Sequence, residues 1–322
     1  MKKILSLALV AVLLLSSFTF ISCEKTKYTV GIVQLVQHEA LDAATQGFID
    51  ALKAELGEEN VTFLTENASG EASVCTTIVE NFVGKKVDLI MANATPALQA
   101  AAQVTDIPVL GTSITEYGVA LGIENFNGLV GSNVSGTSDL APLAEQAKMI
   151  VDLYPEAEKV ALLYCSSEPN SEYQVKEIRR QLVTLGIADA NIKDFAFSDS
   201  NDVRAQAAAA SEFADVIYIP TDNTAASCAE TIGGAIGNTP VIAGEEGICK
   251  GCGGATLSIS YYDLGVATGK MAAKILKGEA NIEEMPIEYA ATPTKKYNAK
   301  RCEELGIDVE ALKAQGYVAI GE

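Results

Sequence analysis

Short apolar runs alternate with longer amphipathic segments in the first half of the chain. The predicted strands are 28–34, 61–65, 87–92 and 107–111, and the predicted helices are 38–56, 71–83 and 96–104. Gly57 and Gly84 follow two of these helices, as glycine often does at a helix end. Strands that alternate with helices in this way predict a parallel sheet with helices on both faces.

The same order of elements restarts after a passage rich in Gly and Asn, 118–136. The predicted helices are then 138–153, 172–185, 201–213 and 224–232, and the predicted strands are 159–164, 191–197, 215–219 and 240–243. Asp88 and Asp215 each open a short apolar run that leads into a polar turn and an Ala-rich helical segment. Pro108 and Pro240 begin the next run in each half. We therefore predict an internal duplication that forms two Rossmann-like lobes.

The C-terminal part does not simply continue the second lobe. It is predicted to contain extended segments at 255–260 and 286–291 and helices at 262–276 and 308–316. We expect these segments to cross back between the lobes, so that several connections form a hinge. The expected division is 28–133 plus about 256–284 for lobe 1, and 134–255 plus about 285–322 for lobe 2.

Residues 1–22 have the features of an export signal. Lys2 and Lys3 precede an apolar run, and a small residue stands just before Cys23. The segment resembles a bacterial lipoprotein signal, which would leave Cys23 as a lipidated N-terminus and 23–27 as a polar tether. An ordinary signal peptide or an uncleaved anchor is the alternative. No later apolar stretch approaches the length of a membrane span. We expect an exported protein that is lipid-anchored at the outer face of the bacterial cytoplasmic membrane, or in the periplasm, and that touches the membrane only through this lipid.

Composition narrows the possible partners. The chain has 322 residues, 48% of them hydrophobic, and a formal net charge of −19. This charge argues against nucleic acid or anionic lipid headgroups as partners. Cys249 and Cys252 form a C-x-x-C motif in a Gly-rich stretch, but there is no second cysteine pair, and His38 is the only histidine. A local disulfide or two free thiols is therefore a better interpretation than a metal site.

Little in the sequence indicates an enzyme. There is no G-x-S-x-G elbow, no phosphate-binding loop of the G-x-x-x-x-G-K-[ST] type and no cluster of metal ligands. We therefore expect no catalytic residue, no metal and no cofactor.

Polar side chains instead follow the predicted strands at the edge where parallel sheets bind ligands. The candidate ligand-binding residues are Gln34, His38, Thr95, Thr112, Ser113, Ser166, Ser167, Asp222, Asn223 and Glu245. Hydroxyls at helix starts suit a carboxylate, and Asp222 or Glu245 suits an ammonium, so an amino acid would fit. The alternative is that each side chain caps the helix it precedes.

Several segments together resemble the ABC-transporter substrate-binding protein family, of the type that takes up tryptophan or tyrosine. They are the signal with Cys23, Ala94-Thr-Pro-Ala97, Val134-Ser-Gly-Thr-Ser-Asp139, Pro220-Thr-Asp-Asn-Thr224 and Ile259-Ser-Tyr-Tyr-Asp-Leu-Gly265. The resemblance covers essentially the whole chain after the signal. It implies a type I periplasmic-binding-protein fold that closes on a ligand and delivers it to an ABC permease. It also points to six of the candidates as ligand residues, namely Thr95, Thr112, Ser113, Ser166, Asp222 and Asn223.

We therefore expect a monomer that binds an aromatic or large apolar amino acid. The alternatives are a nucleoside- or sugar-binding protein of the same fold, or an exported sensor or enzyme without a permease. The chain has no Trp, and sugar rings often stack on aromatic side chains, so this composition leans against a sugar.

Overall fold

Two β-sheets organise the structure, a computed structural model that describes residues 27–290 and 292–321. The first sheet is parallel throughout, with the order β11-β5-β4-β3-β1-β2. Its strands are β1 (Tyr28–Gln34), β2 (Val61–Asn67), β3 (Leu89–Asn93), β4 (Val109–Ile114), β5 (Val134–Ser138) and β11 (Glu288–Tyr289). The all-parallel pairing confirms the architecture predicted from the alternation of apolar runs and helices.

The second sheet has the order β13-β12-β10-β9-β8-β6-β7. Its strands are β6 (Val160–Cys165), β7 (Ile192–Phe197), β8 (Val216–Ile219), β9 (Val241–Ala243), β10 (Ala255–Ser258), β12 (Thr294–Tyr297) and β13 (Val318–Ala319). Strand β12 runs antiparallel to β10, whereas the other pairs are parallel.

The two sheets repeat one topology, as the duplication predicts. The order β2-β1-β3-β4-β5 matches β7-β6-β8-β9-β10 strand for strand. Asp88 and Asp215 also play the same role: each carboxylate accepts a backbone N–H from the start of its lobe's first strand, from Thr29 at 2.7 Å and from Lys159 at 2.8 Å. The shared Asp therefore ties the third strand of each lobe to the first.

Helices cover both sheets. They are α1 (Glu39–Leu56), α2 (Ala72–Lys85), α3 (Thr95–Ala101), α4 (Tyr117–Leu121), α5 (Leu143–Leu153), α6 (Pro169–Thr184), α7 (Val203–Phe213), α8 (Asn223–Ser227), α9 (Ala229–Ile236), α10 (Glu246–Gly251), α11 (Tyr261–Leu276), α12 (Ala299–Leu305) and α13 (Val309–Ala314). No described helix is both long and apolar enough to cross a membrane.

Helix α11 belongs to the first lobe although it follows strands of the second. Met271 packs with Phe48 of α1 and with Ile32 of β1 in one buried cluster. The two helices approach so closely that a Cβ added at Gly265 would lie 2.0 Å from the carbonyl oxygen of Ala44. Glycine is therefore required where these helices cross.

Strand β5 is the main departure from the predicted elements. We predicted a Gly- and Asn-rich passage to residue 136 and a helix from 138, but residues 134–138 form a buried strand and α5 begins at Leu143. The reason is that the polar side chains of β5 are satisfied inside the protein: the Thr137 hydroxyl, for example, bonds to those of Thr112 and Thr268.

Sheet membership also differs from the expected division of the lobes. Strand β5 pairs with β4 in the first sheet, β10 pairs with β9 in the second, and β11 pairs with β5 in the first. The chain accordingly crosses between the lobes after β5, after β10 and after β11, and these connections form the hinge.

Two smaller predictions were wrong. Gly84 lies inside α2, which ends at Lys85 because Lys86 adopts a left-handed conformation with φ 55°. The segment 224–232 is divided between α8 and α9, and the turn containing Cys228 separates them.

Candidate functional site

A small cavity lies between the two lobes at the carboxyl ends of their strands. The first lobe contributes His38 and Ser113, and the second contributes Asn170, Asp222 and Glu245. Ligands of open α/β sheets bind in this position, outside the carboxyl ends of the strands. The location therefore agrees with that expected for a ligand site in a duplicated α/β fold.

Two acidic residues of the cavity also cap helices. The Asp222 carboxylate accepts backbone N–H groups from Ala225 at 2.7 Å and from Cys165 at 2.6 Å, and so joins the start of α8 to the end of β6. Burial, reinforced by the nearby Glu168 carboxylate, raises the pKa of Asp222.

Glu245 is held in the same way at the start of α10. Its carboxylate accepts the backbone N–H groups of Gly247, at 2.7 Å, and of Ile248. Burial raises the pKa of Glu245 to about 7. Both acidic residues thus line the cavity while their charge is directed to backbone donors.

Asp139, directly after β5, has a different environment. Its Oδ2 atom accepts the Tyr261 hydroxyl at 2.9 Å, but its Oδ1 atom is buried without a hydrogen-bond partner among the described residues. Asp139 and Tyr261 both line the cavity, and both follow segments that cross between the lobes. Burial raises the pKa of Asp139, an effect that the hydroxyls of Tyr261 and Thr115 oppose.

Two further polar atoms of the cavity have no partner in the described part of the chain. They are Ser113 Oγ in the first lobe and Asn170 Oδ1 in the second, both buried. A buried polar atom that lacks a hydrogen bond costs about 1–3 kcal/mol. Such atoms gathered around one cavity are available for hydrogen bonds to a polar ligand.

A chain of hydrogen bonds crosses the cleft beside the cavity. His38 Nε2 lies 3.3 Å from Asn223 Oδ1, and Asn223 Nδ2 donates to Glu168 Oε2 at 2.6 Å. Because the Asn223 amide nitrogen is committed to Glu168, its oxygen faces His38, and His38 Nε2 must carry the proton. The desolvation of the ring lowers the pKa of His38, which favours this neutral form.

Half of the candidate residues that were predicted from the sequence line the cavity, namely His38, Ser113, Asp222, Asn223 and Glu245. The other five do not line it. Gln34 bonds to Asp42 and the Val36 carbonyl, Thr112 to Thr137, Ser166 to the Phe197 carbonyl and Ser167 to the Ser198 carbonyl, while Thr95 is buried at the first residue of α3.

Sequence reasoning passed over Asp139, Asn170 and Tyr261 as ligand candidates. Asp139 ends the segment Val134–Asp139, and Tyr261 lies in Ile259–Gly265. Both segments carry the family resemblance, and this was the signal that could have drawn attention to the two residues. Asn170 was visible only as one of several polar residues after β6.

The C-x-x-C motif of the Gly-rich stretch spans the second half of α10 and the residue that ends this helix. Cys249 and Cys252 are free thiols, and both are buried. Burial raises the pKa of Cys252 to about 12, which keeps this thiol protonated and unreactive.

The family described as ABC transporter substrate binding protein matches residues 29–315 of the chain. The chain belongs to this family. A curated relative of this substrate-binding protein is the tyrosine-binding protein of Clostridioides difficile, which is 32% identical over 315 residues, with 89% of this chain and 87% of the relative covered.

Two solved structures relate the arrangement of the lobes to ligand binding. The ABC domain from Streptococcus pneumoniae in complex with L-Trp has a TM-score of 0.85 at 31% identity, with 92% of this chain and 100% of that chain covered. The ligand-free, open structure of a substrate-binding protein with adhesive properties from Clostridium difficile has a TM-score of 0.67 at the same 31% identity, with 91% and 99% covered.

Since identity and coverage are nearly equal, the higher score indicates that the lobes of this substrate-binding protein are arranged more as in the L-Trp complex than as in the open structure. A leucine-binding protein, a glucose-galactose binding protein and two sugar transporter proteins, all below 25% identity, share the type I fold. These neighbours and the family are solute-binding proteins, which agrees with the binding role expected from the strand-end polar residues.

Proposed function

We propose that this protein is the substrate-binding component of an ABC importer and that it captures one free amino acid between its lobes. The observation that carries the proposal is the cavity in which buried polar atoms of both lobes lack partners among the described residues, including Ser113 Oγ, Asp139 Oδ1 and Asn170 Oδ1.

The proposed ligand is aromatic or large and apolar. This choice is supported by the tyrosine-binding relative and by the neighbour in complex with L-Trp. The ligand would bind the open protein and stabilise the closed arrangement, because its contacts to the second lobe form only when the cleft closes. The closed form would then dock on the permease.

We also propose that the protein is a monomer anchored by a lipid on Cys23. The proposed anchor rests on the sequence of residues 1–27, of which all but Lys27 lie outside the described residues. Replacing Cys23 with Ala should abolish the incorporation of labelled fatty acid into the protein. Incorporation that persists in the variant would contradict the lipid on Cys23 and leave the ligand proposal intact.

The ligand is tested by thermal unfolding of the protein that lacks residues 1–23, over a panel of amino acids, nucleosides and sugars. A ligand present at a hundred times its Kd adds about 2.7 kcal/mol to the stability. We expect this stabilisation with tyrosine, tryptophan or a large apolar amino acid. Stabilisation by sugars or nucleosides alone would refute the amino-acid assignment.

A second measurement uses the absence of tryptophan from the chain. Any tryptophan emission from the purified protein after dialysis comes from bound ligand, and native mass spectrometry identifies that ligand directly. The importer role is checked by uptake of the labelled amino acid in cells that lack the protein, where uptake should fall at low external concentration.

A further inference from the structure

Three carboxyl groups line the cavity, those of Asp139, Asp222 and Glu245, and a fourth, that of Glu168, lies nearby; the four differ in what neutralises them. Glu245 accepts two backbone N–H groups at the start of α10, and Asp222 accepts one at the start of α8 and one from Cys165 at the end of β6. The carboxylate of Glu168, which lies behind Asn223, accepts hydrogen bonds from the backbone N–H and the side chain of both Asn223 and Thr224. Among these described acidic groups, Asp139 is the one with an oxygen atom, Oδ1, that lacks a hydrogen bond of normal geometry, although the Tyr261 and Thr115 hydroxyls lie near enough to lower the pKa of its carboxyl group.

We propose that Asp139 receives the ammonium group of the bound amino acid and thereby sets the polarity of the ligand in the cavity. This inference rests on the proposed function. It adds a specificity-determining residue that was absent from the sequence-based candidates, and it moves the expected ammonium partner away from Asp222 and Glu245.

The charge around Asp139 supports the assignment. No lysine or arginine is found among the described residues that line the cavity, and His38 is the only basic residue among them. The hydrogen bond of His38 Nε2 to Asn223 keeps this ring directed at the second lobe. A buried carboxylate without a counter-charge is strongly unfavourable, so the ammonium group of a ligand would stabilise the ionised form of Asp139.

Asn170 supplies a second acceptor on the opposite lobe. Its Nδ2 atom donates to the Thr221 carbonyl oxygen at 3.1 Å. A carbonyl oxygen can only accept, so the Asn170 amide is oriented with Oδ1 free. An ammonium group has three N–H donors and can serve Asp139 Oδ1 and Asn170 Oδ1 together. Ser113 Oγ is then the unpaired hydroxyl that can donate to the ligand carboxylate.

The position of Asp139 links this role to the hinge. Asp139 follows β5 at one crossing between the lobes, and Tyr261 follows β10 at another. Their hydrogen bond at 2.9 Å joins the two crossing segments. Segments at a hinge move least when the lobes rotate, so the ammonium partner stays in place during closure while the opposite lobe moves onto the ligand.

The test compares a ligand that has the amino group with one that lacks it. Isothermal titration measures the binding of L-tyrosine and of 3-(4-hydroxyphenyl)propionate to the wild-type protein and to Asp139→Asn. We expect the wild-type protein to bind L-tyrosine at least about 30-fold more tightly than the propionate. The affinity of Asp139→Asn for L-tyrosine should be at least about 30-fold weaker than that of the wild-type protein, because removing one partner of a buried charge pair is costly. Binding of the propionate should change by less than about threefold, because this analogue has no ammonium group.

Asp263→Asn is the matched control, since Asp263 is an exposed residue of α11 only two positions after Tyr261; its affinity for L-tyrosine should be unchanged. Tyr261→Phe removes the hydroxyl that donates to Asp139 Oδ2 and should weaken the binding of L-tyrosine more than that of the propionate. If Asp139→Asn does not fold, the wild-type comparison of the two ligands and Tyr261→Phe still decide the question.

Equal binding of L-tyrosine by Asp139→Asn and the wild-type protein would overturn the inference and leave the proposed function standing. The same holds if the wild-type protein binds both ligands equally well. A wild-type protein that binds no amino acid at all would instead overturn the proposed function, and this inference with it.

Discussion

The hydrogen bond between His38 and Asn223 joins the two lobes beside the cavity, and it should help to hold the cleft closed. His38 precedes α1 in the first lobe, and Asn223 begins α8 in the second. Replacing His38 with Phe keeps a ring of similar size and removes both the hydrogen bond and the titratable group. If the ligand binds tightly only to the closed form, every loss of closing free energy appears as weaker binding.

The magnitude follows from the geometry. A neutral hydrogen bond contributes about 0.5–1.5 kcal/mol net, and the 3.3 Å separation of Nε2 and Oδ1 is at the long end of the usual range. A value of about 1 kcal/mol corresponds to roughly fivefold weaker binding. A double-mutant cycle with Asn223→Ala separates this pairwise contribution from other effects on the ligand, and we expect a coupling of about 1 kcal/mol.

The same bond makes closure depend on pH. The pKa of His38 is lowered in the closed structure from an ordinary value of 6.5, with desolvation as the main cause, while the bond to Asn223 and the charges of Glu168 and Asp42 act in the opposite direction. The open form, with a solvated ring, then binds more protons. The contribution of His38 to closure is therefore complete above pH 6.5 and declines as the pH falls below that value.

The assay is the pH dependence of Kd for the wild-type protein and for His38→Phe. Asp222 and Glu245 have raised pKa values and produce a trend of opposite sign in both proteins, so the difference between the two profiles isolates His38. This difference should shrink as the pH falls below 6.5. Parallel profiles, or single variants whose effects simply add, would refute the reasoning.

A control for general effects at the interface between the lobes is the ion pair of Lys250 with Glu39. Its Nζ–Oε2 distance is 2.8 Å, but both side chains are more than half exposed. Exposed pairs contribute about 0.2–1 kcal/mol and are screened by salt. Glu39→Gln should therefore change Kd by less than about twofold at high ionic strength, whereas the effect of His38→Phe should persist.

Three further predictions concern packing and thiol chemistry. Gly265→Ala should destabilise the protein by about 3 kcal/mol in urea unfolding, because the new methyl group would lie 2.0 Å from the Ala44 carbonyl oxygen; a stability within 1 kcal/mol of the wild type would contradict the close crossing of α1 and α11. Gly84→Ala, at a helical position with no atom within 4 Å of the added carbon, should instead stabilise the protein by about 0.4–1 kcal/mol in the same measurement. In the protein without residues 1–23, Cys228 should be the one thiol that reacts rapidly with a disulfide reagent under native conditions, since the other described cysteines are buried; rapid reaction of a second thiol would count against the packing of the cysteines.

Most of the fold could be predicted from the sequence because apolar runs and helix-ending glycines mark the repeated unit. Strand β5 could not, because its residues Val134–Ser138 are mainly small and polar, and their hydroxyls find partners only in the folded protein. A search for hydrophobic periodicity does not detect a strand of this kind. The error in the boundary of the lobes follows from the same misreading.

The site was predictable in location but not in the role of each residue. Asp222 and Glu245 were chosen as partners for an ammonium because they are acidic and follow strands, but the sequence cannot show that backbone N–H groups already occupy their oxygen atoms. Asp139 was passed over because the strand before it was not recognised. Both outcomes depend on contacts between residues far apart in the chain.

The path of the chain through both lobes also constrains how the protein can fold. The first lobe takes α11 from residues 261–276 and β11 from 288–289, and both are synthesised after β6 to β10 of the second lobe. Until then, the face of β1 that packs with Phe48 and Met271 cannot be fully covered. The first lobe therefore cannot complete its core ahead of the second during synthesis. Long-range contacts of this kind form late and slowly. The chain should therefore remain unfolded long enough to be exported before it folds.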